Sequence, residues 1–132
     1  MEREHELQNA IRVYVSKLKL GTLFRANVGS GWTGKSRREG NKVIIENPRR
    51  LNTGLPSGFP DLFGFRTITI TPDMVGQRIA VFCGLEIKTK LGRVRDDQMA
   101  MLKYLQECNC RAGIARSTSD AEEILSGKHG RI

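Results

Sequence analysis

The sequence predicts an α/β fold with helices flanking a mixed sheet. Three observations carry that prediction. Apolar residues recur at helical spacing in two segments, residues 2–21 and 95–109. Alternating or continuous β-branched and apolar runs occupy the middle of the chain. The resulting order is helix, strand, strand, strand, helix, strand, helix, which suits an α/β sandwich. At 132 residues, with no visible repeat or linker, the chain reads as one domain, 1–132, long enough for a real core.

Each element has a local justification. In "EREHELQNAIRVYVSKLKLG", Leu7, Ile11, Val15 and Leu18 form an apolar stripe, and Gly21 supplies a stop. "TLFRANV" is a short strand. Residues 29–54, rich in Gly, Asn, Ser and Arg, read as a hairpin or flexible excursion with "KVIIE" as its strand-like piece. "DLFGFRTITIT" is a strand, "PDMVGQ" a turn, and "RIAVFCGLEIKTK" the most apolar strand, with both faces expected to be buried over its first half. "RDDQMAMLKYLQECN" is a helix with Asp96 as N-cap and Asn109 near its end. "RAGIARS" is the last strand. "SDAEEIL" closes the chain as a helix, with Ser119 and Glu122 at capping-box spacing.

Composition narrows the function classes. No run of about 18 apolar residues exists, so no membrane-spanning helix is expected. The start, "MEREHELQ", is charged where a secretory leader would be apolar. Cys83, Cys108 and Cys110 are an odd count with no C-x-x-C pair, which argues for reduced thiols in a cytosolic setting and against structural zinc. Cys83 lies in an apolar run and reads as a small core residue. The formal net charge of +8 favours a polyanionic partner. Lys35, Arg37, Arg38, Lys42, Arg49 and Arg50 crowd the excursion against Glu39 and Glu46 only. Lys88, Lys90, Arg93 and Arg95 follow the apolar strand. Such clustering suits phosphate binding better than general solubility. Trp32 beside the first cluster is either a stacking platform for a base or a rim hydrophobe of the hairpin.

Two stretches carry the candidate chemistry. In "GFPDLFGF", Pro60 needs no ladder donor and leaves Asp61 at the mouth of a strand, where it either caps a turn or serves a site. Gly58 nearby would let a phosphate backbone approach closely. In "LEIKTK", Glu86 and Lys88 share one strand face, following Ala80, Phe82 and Gly84, while Ile79, Val81, Cys83, Leu85 and Ile87 form the other. A face that turns from apolar to ionic at a strand end suits a site at the edge of a core. A rim salt bridge is the plain alternative. If the strands starting at Asp61 and ending at Glu86 are antiparallel neighbours, their two carboxylates could hold a hard divalent cation such as Mg²⁺, with Lys88 orienting water or meeting phosphate charge. Leu102 and Leu105 define the apolar stripe with Met101, and Gln98, four residues before Leu102 and seven before Leu105, faces inward with them. It is a site amide, a satisfied core glutamine or a cap contact. Glu4 lies on the Leu7–Ile11 side of the first helix, with Gln8 nearby, and either faces a site or complements the helix dipole.

"GFPDLFGF", "LEIKTK", "RDDQMAMLKYL", the first-helix glutamate and "AGIARSTSDAEEIL" together resemble the VRR-NUC family of the PD-(D/E)xK nuclease superfamily. The resemblance runs nearly from end to end. It implies a restriction-endonuclease-like α-β-β-β-α-β core, the order already read from the residues. It implies Asp61 and Glu86 as metal ligands with the Ile87 backbone carbonyl, Lys88 as catalytic lysine, and Gln98 and Glu4 as further site residues. Stand-alone members, often from phages and bacteria, are similar to Holliday junction resolvases and tend to act as dimers on structured DNA.

The expectation is therefore a Mg²⁺- or Mn²⁺-dependent endonuclease acting on DNA in the cytoplasm, of a bacterial host if phage-encoded. Branched DNA and a homodimer are expectations from the family, and Val43, Ile44 and Ile45 are candidates for the paired surface. The competing readings are a basic nucleic-acid-binding module without catalysis and a sequence-specific restriction-type enzyme. A carboxylate pair beside a phosphate site repels the ligand unless a cation lies between, which favours the nuclease.

Overall fold

The computed structural model describes residues 3–27, 30–128, 130 and 132. Glu2, Val28 and Gly29, at expected element ends, lie outside the described residues. Two compact units divide the chain, Met1–Gly64 and Phe65–Ile132.

The first unit opens with α1 (Glu4–Lys17) and β1 (Thr22–Arg25). Glu6 closes the helix start by accepting the Arg3 N–H at 3.2 Å. The stop lies two residues before the expected Gly21. Lys19 adopts φ 53° and donates to the Ser16 carbonyl, and Leu20 donates to that of Val15. This is a Schellman motif, which satisfies the last carbonyls without glycine at a modest cost in backbone strain. The predicted apolar stripe stays largely outside. Leu7, Ile11 and Leu18 are 45%, 41% and 50% exposed, and only Val15 and Gln8 are half-buried.

The excursion is a regular antiparallel hairpin of β2 (Ser30–Glu39) and β3 (Lys42–Asn52). Gly40, at φ 58°, opens its two-residue turn, as a type II′ turn requires. The register breaks between Thr33 and Lys35, where Gly34 alone faces Asn47 and Pro48. Asn47 takes φ 47° there, and a bulge is where a strand tolerates proline. A Cβ on Gly34 would meet the Glu46 carbonyl at 2.7 Å, so the strands close up across the bulge only because it has none.

β4 (Leu62–Phe65) pairs with β1. The Ala26 N–H donates to the Asp61 carbonyl at 2.9 Å, and Gly64 lies against the Thr22 backbone, so the two strands run in opposite directions. Phe63 packs between Phe24 and Phe59, with ring centroids 5.7 and 5.4 Å away.

In the second unit, a 3-10 turn (Pro72–Met74) precedes β5 (Cys83–Ile87), α2 (Asp96–Glu107), β6 (Arg111–Ala115) and α3 (Thr118–Leu125). β5 and β6 are parallel, and both helices pack on them. Among the described residues the buried apolar side chains are Leu102, Leu105, Ala112, Ala115 and Ile124, all in this unit, while Met101 of the expected α2 stripe is 47% exposed. Small residues set the approach: a Cβ on Gly84 would stand 2.9 Å from Leu105 Cδ1. Asn109 (φ 67°) and Gly127 (φ 74°) end α2 and α3 in further Schellman motifs.

The α/β class and the order of elements match the expectation, with both antiparallel and parallel pairs present. Among the described residues, however, the strands form three two-stranded ladders rather than one mixed sheet, with β4 on β1 and β5 on β6. The strands are also shorter than predicted. Residues 66–71 and 78–82 carry β-forming side chains but no ladder, since β propensity measures fit to a pleated, half-buried surface and not an intrinsic backbone state. Consequently Ile79, Val81 and Cys83 are exposed, and neither the doubly buried strand nor a core Cys83 is found. Two caps shift as well. Arg95 rather than Asp96 is the N-cap of α2, and Ser117 rather than Ser119 caps α3, its hydroxyl accepting the Asp120 N–H at 3.0 Å. Each true cap has extended backbone, which frees it to stand outside the first turn.

Candidate active site

β5 ends on Glu86 and Ile87, with Lys88 the next residue, and two local facts place their groups. Cross-strand partners share a face, so Gly84 with Ala112 and Glu86 with Ile114 lie on one side. Gly84 lies under Leu105, which makes that side the α2 side. Glu86 and Lys88 are accordingly drawn partly inside, with side chains 29% and 18% exposed, while Ile87 is 68% exposed on the other face. The face expected to carry chemistry is the better buried one, because α2 covers it.

Gln98 completes this cluster from the first turn of α2. Its Oε1 accepts the Arg95 N–H at 3.0 Å, and its Nε2 donates to Glu86 Oε1 at 2.7 Å. The cap contact and the inward site amide are thus one residue: the first bond fixes the rotamer and the second spends the amide's other end on the carboxylate. Lys88 Nζ lies 3.6 Å from the same Oε1. No hydrogen bond to Glu86 Oε2 occurs among the described residues.

The β5–β6 ladder uses alternate residues. Arg111 donates to the Phe82 carbonyl and Lys88 donates to that of Ala115, so even-numbered β5 residues face β6. The Ile87 carbonyl therefore points to the opposite edge of β5, outside that ladder. The loop beyond Lys88 is held by a residue the sequence reading passed over. Arg116 Nη1 donates to the carbonyls of Thr89 and Gly92 at 2.7 and 2.8 Å, with Lys90 at 3.4 Å, and Gly92 N–H closes a turn onto Thr89. An arginine directly after a buried "AGIA" strand was the available signal.

The remaining predicted residues stand as follows. Asp61 is exposed at the entrance to β4, its main chain pinned through the carbonyl that takes the Ala26 N–H. No hydrogen bond to its carboxylate occurs among the described residues, so it does not act as a turn cap. The turn before it is made by Pro56–Phe59 instead, with Gly58 at φ 84° as a type II turn requires. Glu4 is exposed in the first turn of α1. Arg95 is paired with Asp97 at 3.0 Å, which raises the guanidinium pKa and holds the Asp97 carboxyl below the usual carboxylate range. Lys90 and Arg93 are exposed in the loop. On the hairpin, Arg37 bonds Glu46 at 2.8 Å and Glu39 at 3.2 Å, Arg38 donates to the Gly40 carbonyl, and the Arg50 guanidinium lies 5.0 Å from the Trp32 ring centre. Lys35, Lys42 and Arg49 are exposed.

No group of three or more His, Cys, Asp or Glu side chains able to hold a metal occurs among the described residues. Mg²⁺ does not demand such a cage, since it binds through one or two carboxylates and keeps several waters. The donors at the end of β5, a carboxylate oxygen that takes no hydrogen bond among the described residues and a carbonyl outside the β6 ladder, are hard oxygens of the kind it takes.

A short α/β core with a glutamate and a lysine two residues apart at a strand end is the layout of a PD-(D/E)xK-type nuclease domain. The VRR-NUC domain family matches residues 7–119, most of the chain and parts of both units, and the chain belongs to that family. No curated protein and no solved structure matches it. No helix among the described residues is long and apolar enough to cross a membrane.

Proposed function

We propose that the protein is a divalent-metal-dependent DNA endonuclease whose working groups are Asp61, Glu86, Lys88 and Gln98. The observation that carries this reading is the cluster on the α2 side of β5, where Gln98 and Lys88 both address Glu86 Oε1 and Oε2 takes no hydrogen bond among the described residues.

Asp61, Glu86 and the Ile87 carbonyl would hold Mg²⁺ or Mn²⁺. Such an ion, when bound, activates an attacking water and offsets charge building on the scissile phosphate. Gln98 keeps the Glu86 carboxylate in one orientation through its 2.7 Å bond. Lys88 serves as a cation beside the phosphate and as a proton-handling or water-orienting group, held near by its half-buried position. Glu4 is assigned a lesser, supporting part. Lys90 and Arg93, together with the hairpin cations Lys35, Arg38, Lys42, Arg49 and Arg50, bind flanking phosphates, which gives salt-dependent affinity with little sequence selectivity. Arg37 and Arg95, each in an ion pair, are the weaker contributors to that set. Branched DNA is the preferred substrate on this reading, cut by a homodimer whose two-fold symmetry matches a junction, in the cytoplasm of the cell that makes it.

The test is a cleavage panel of junction, flap, nicked and linear DNAs with Mg²⁺, Mn²⁺ or chelator. Cleavage should need the cation and favour branched substrates. Asp61→Ala and Lys88→Ala should each lower it at least about 100-fold while the protein still melts cooperatively, because Asp61 is exposed and Glu86 keeps its Gln98 bond when Lys88 is lost. Undiminished cleavage by Asp61→Ala overturns the site. Binding that is indifferent to cations and never followed by cleavage leaves the non-catalytic module.

A further inference from the structure

The hairpin has two chemically different faces, set by its register. β2 runs without insertion, because the extra residue of the bulge belongs to β3. Trp32, Ser36 and Arg38 therefore share one face with their partners Arg50, Ile45 and Val43. Thr33, Lys35, Arg37 and Glu39 share the other with Arg49, Glu46, Ile44 and Lys42. The contacts agree with this division: Arg50 lies over Trp32 on the first face, and Arg37 bonds Glu39 and Glu46 on the second.

Both carboxylates of the hairpin thus fall on the second face, where they engage its central arginine. The first face has none. It carries Trp32, 56% exposed, with the Arg50 guanidinium 5.0 Å from its ring and Ser30 Oγ 3.5 Å from the same guanidinium. The arginine lies over one side of the indole, and more than half of the Trp32 surface stays exposed. Toward the turn, Arg38 is braced on the Gly40 carbonyl.

We propose that the Trp32 face of the hairpin binds unpaired nucleotides, a base stacking on the exposed indole and Arg38 and Arg50 meeting the adjoining phosphates. Base stacking on an aromatic ring is sequence-tolerant, and a face free of carboxylates does not repel the backbone. Inside duplex DNA each base face is covered by its stacked neighbours, so only the two blunt ends offer an open one. The assignment rests on the nucleic-acid reading given above and sharpens it: the hairpin distinguishes unpaired from paired strand, and the opposite face adds only charge.

Trp32 is the single tryptophan of the chain, so indole fluorescence reports the surroundings of this one side chain. The full-length protein is titrated, in chelator to prevent cleavage, with an oligo-dT strand and with a blunt duplex of equal length. Saturable quenching by the strand and little by the duplex is expected. By anisotropy of the labelled strand, Trp32→Ala should weaken single-strand binding about 5- to 20-fold and Trp32→Phe much less, with duplex binding moved by under about 2-fold. Lys35→Ala, on the other face, should weaken both ligands alike. Equal quenching by both ligands, absent quenching, or an equal loss for strand and duplex in Trp32→Ala overturns the proposal. Because no cleavage enters these readouts, an inactive nuclease would not be mistaken for a failed nucleotide face.

Discussion

Gln98 Nε2 donates to Glu86 Oε1 at 2.7 Å while Gln98 Oε1 accepts the N–H that opens α2 at 3.0 Å. One side chain therefore ties the orientation of a strand-end carboxylate to the start of a helix. The two bonds can be separated by substitution. Gln98→Ala removes both and should cost about 1 kcal/mol in denaturant unfolding, the usual worth of a helix-start bond, together with a loss of cleavage. Gln98→Glu keeps an acceptor for the Arg95 N–H and sets a second carboxylate against Glu86. Its metal-free melting temperature should fall and recover when Mg²⁺ is added. A Gln98→Glu protein whose melting ignores Mg²⁺ would show that no cation binds beside Glu86.

Arg116 holds the loop after Lys88 by charge-assisted bonds to backbone carbonyls. Arg116→Ala should destabilise the fold by about 1.5–3 kcal/mol in urea titration, since hydrogen bonds to charged groups are among the stronger ones. It should also raise KM for DNA more than it lowers kcat, because Lys90 and Arg93 lose their fixed placement. Arg116→Lys, a point charge without the planar fork, should restore stability only in part.

Gly64 sits where any side chain would overlap the Thr22 carbonyl. Gly64→Ala should force β1 and β4 apart and cost about 1–3 kcal/mol, the range for overpacking. Faster hydrogen exchange at the Ala26 amide, which bonds the Asp61 carbonyl, is the local check.

Asp97 has its pKa lowered chiefly by the hydrogen bond from Arg95. A carboxyl depressed in the folded state stabilises above its unfolded pKa of about 3.9, and that stability is lost as pH falls through the folded value. The pair is fully exposed, so the effect is small and screened by salt. Asp97→Asn should leave melting at pH 7 slightly lower at low salt and flatten its fall below about pH 4. Melting curves from pH 2 to 7 at two salt concentrations check it.

Much of the fold was legible locally. Leu102 and Leu105 are the buried stripe that their spacing announced, and Asn109 closes α2 in the left-handed conformation asparagine tolerates. The excursion's glycines and asparagines mark a hairpin turn and a bulge. Less legible were features decided by what lies opposite. "RTITIT" has the composition of a strand and no ladder, and the stripe of α1 packs on β1 but stays largely exposed. The caps moved by one or two residues because several adjacent residues could serve, and the backbone direction at each helix entry chose among them.

By itself the sequence determined the order of elements, the basic hairpin and the candidates Asp61, Glu86, Lys88 and Gln98, because periodicity, turn chemistry and charge clustering are properties of near neighbours along the chain. Tertiary structure decided which β5 face is buried, that Gln98 spends its amide on Glu86, that Arg116 braces the loop after Lys88, and that both hairpin carboxylates lie opposite Trp32. Those facts depend on register and on helix–strand approach, where a shift of one residue turns every side chain to the other face.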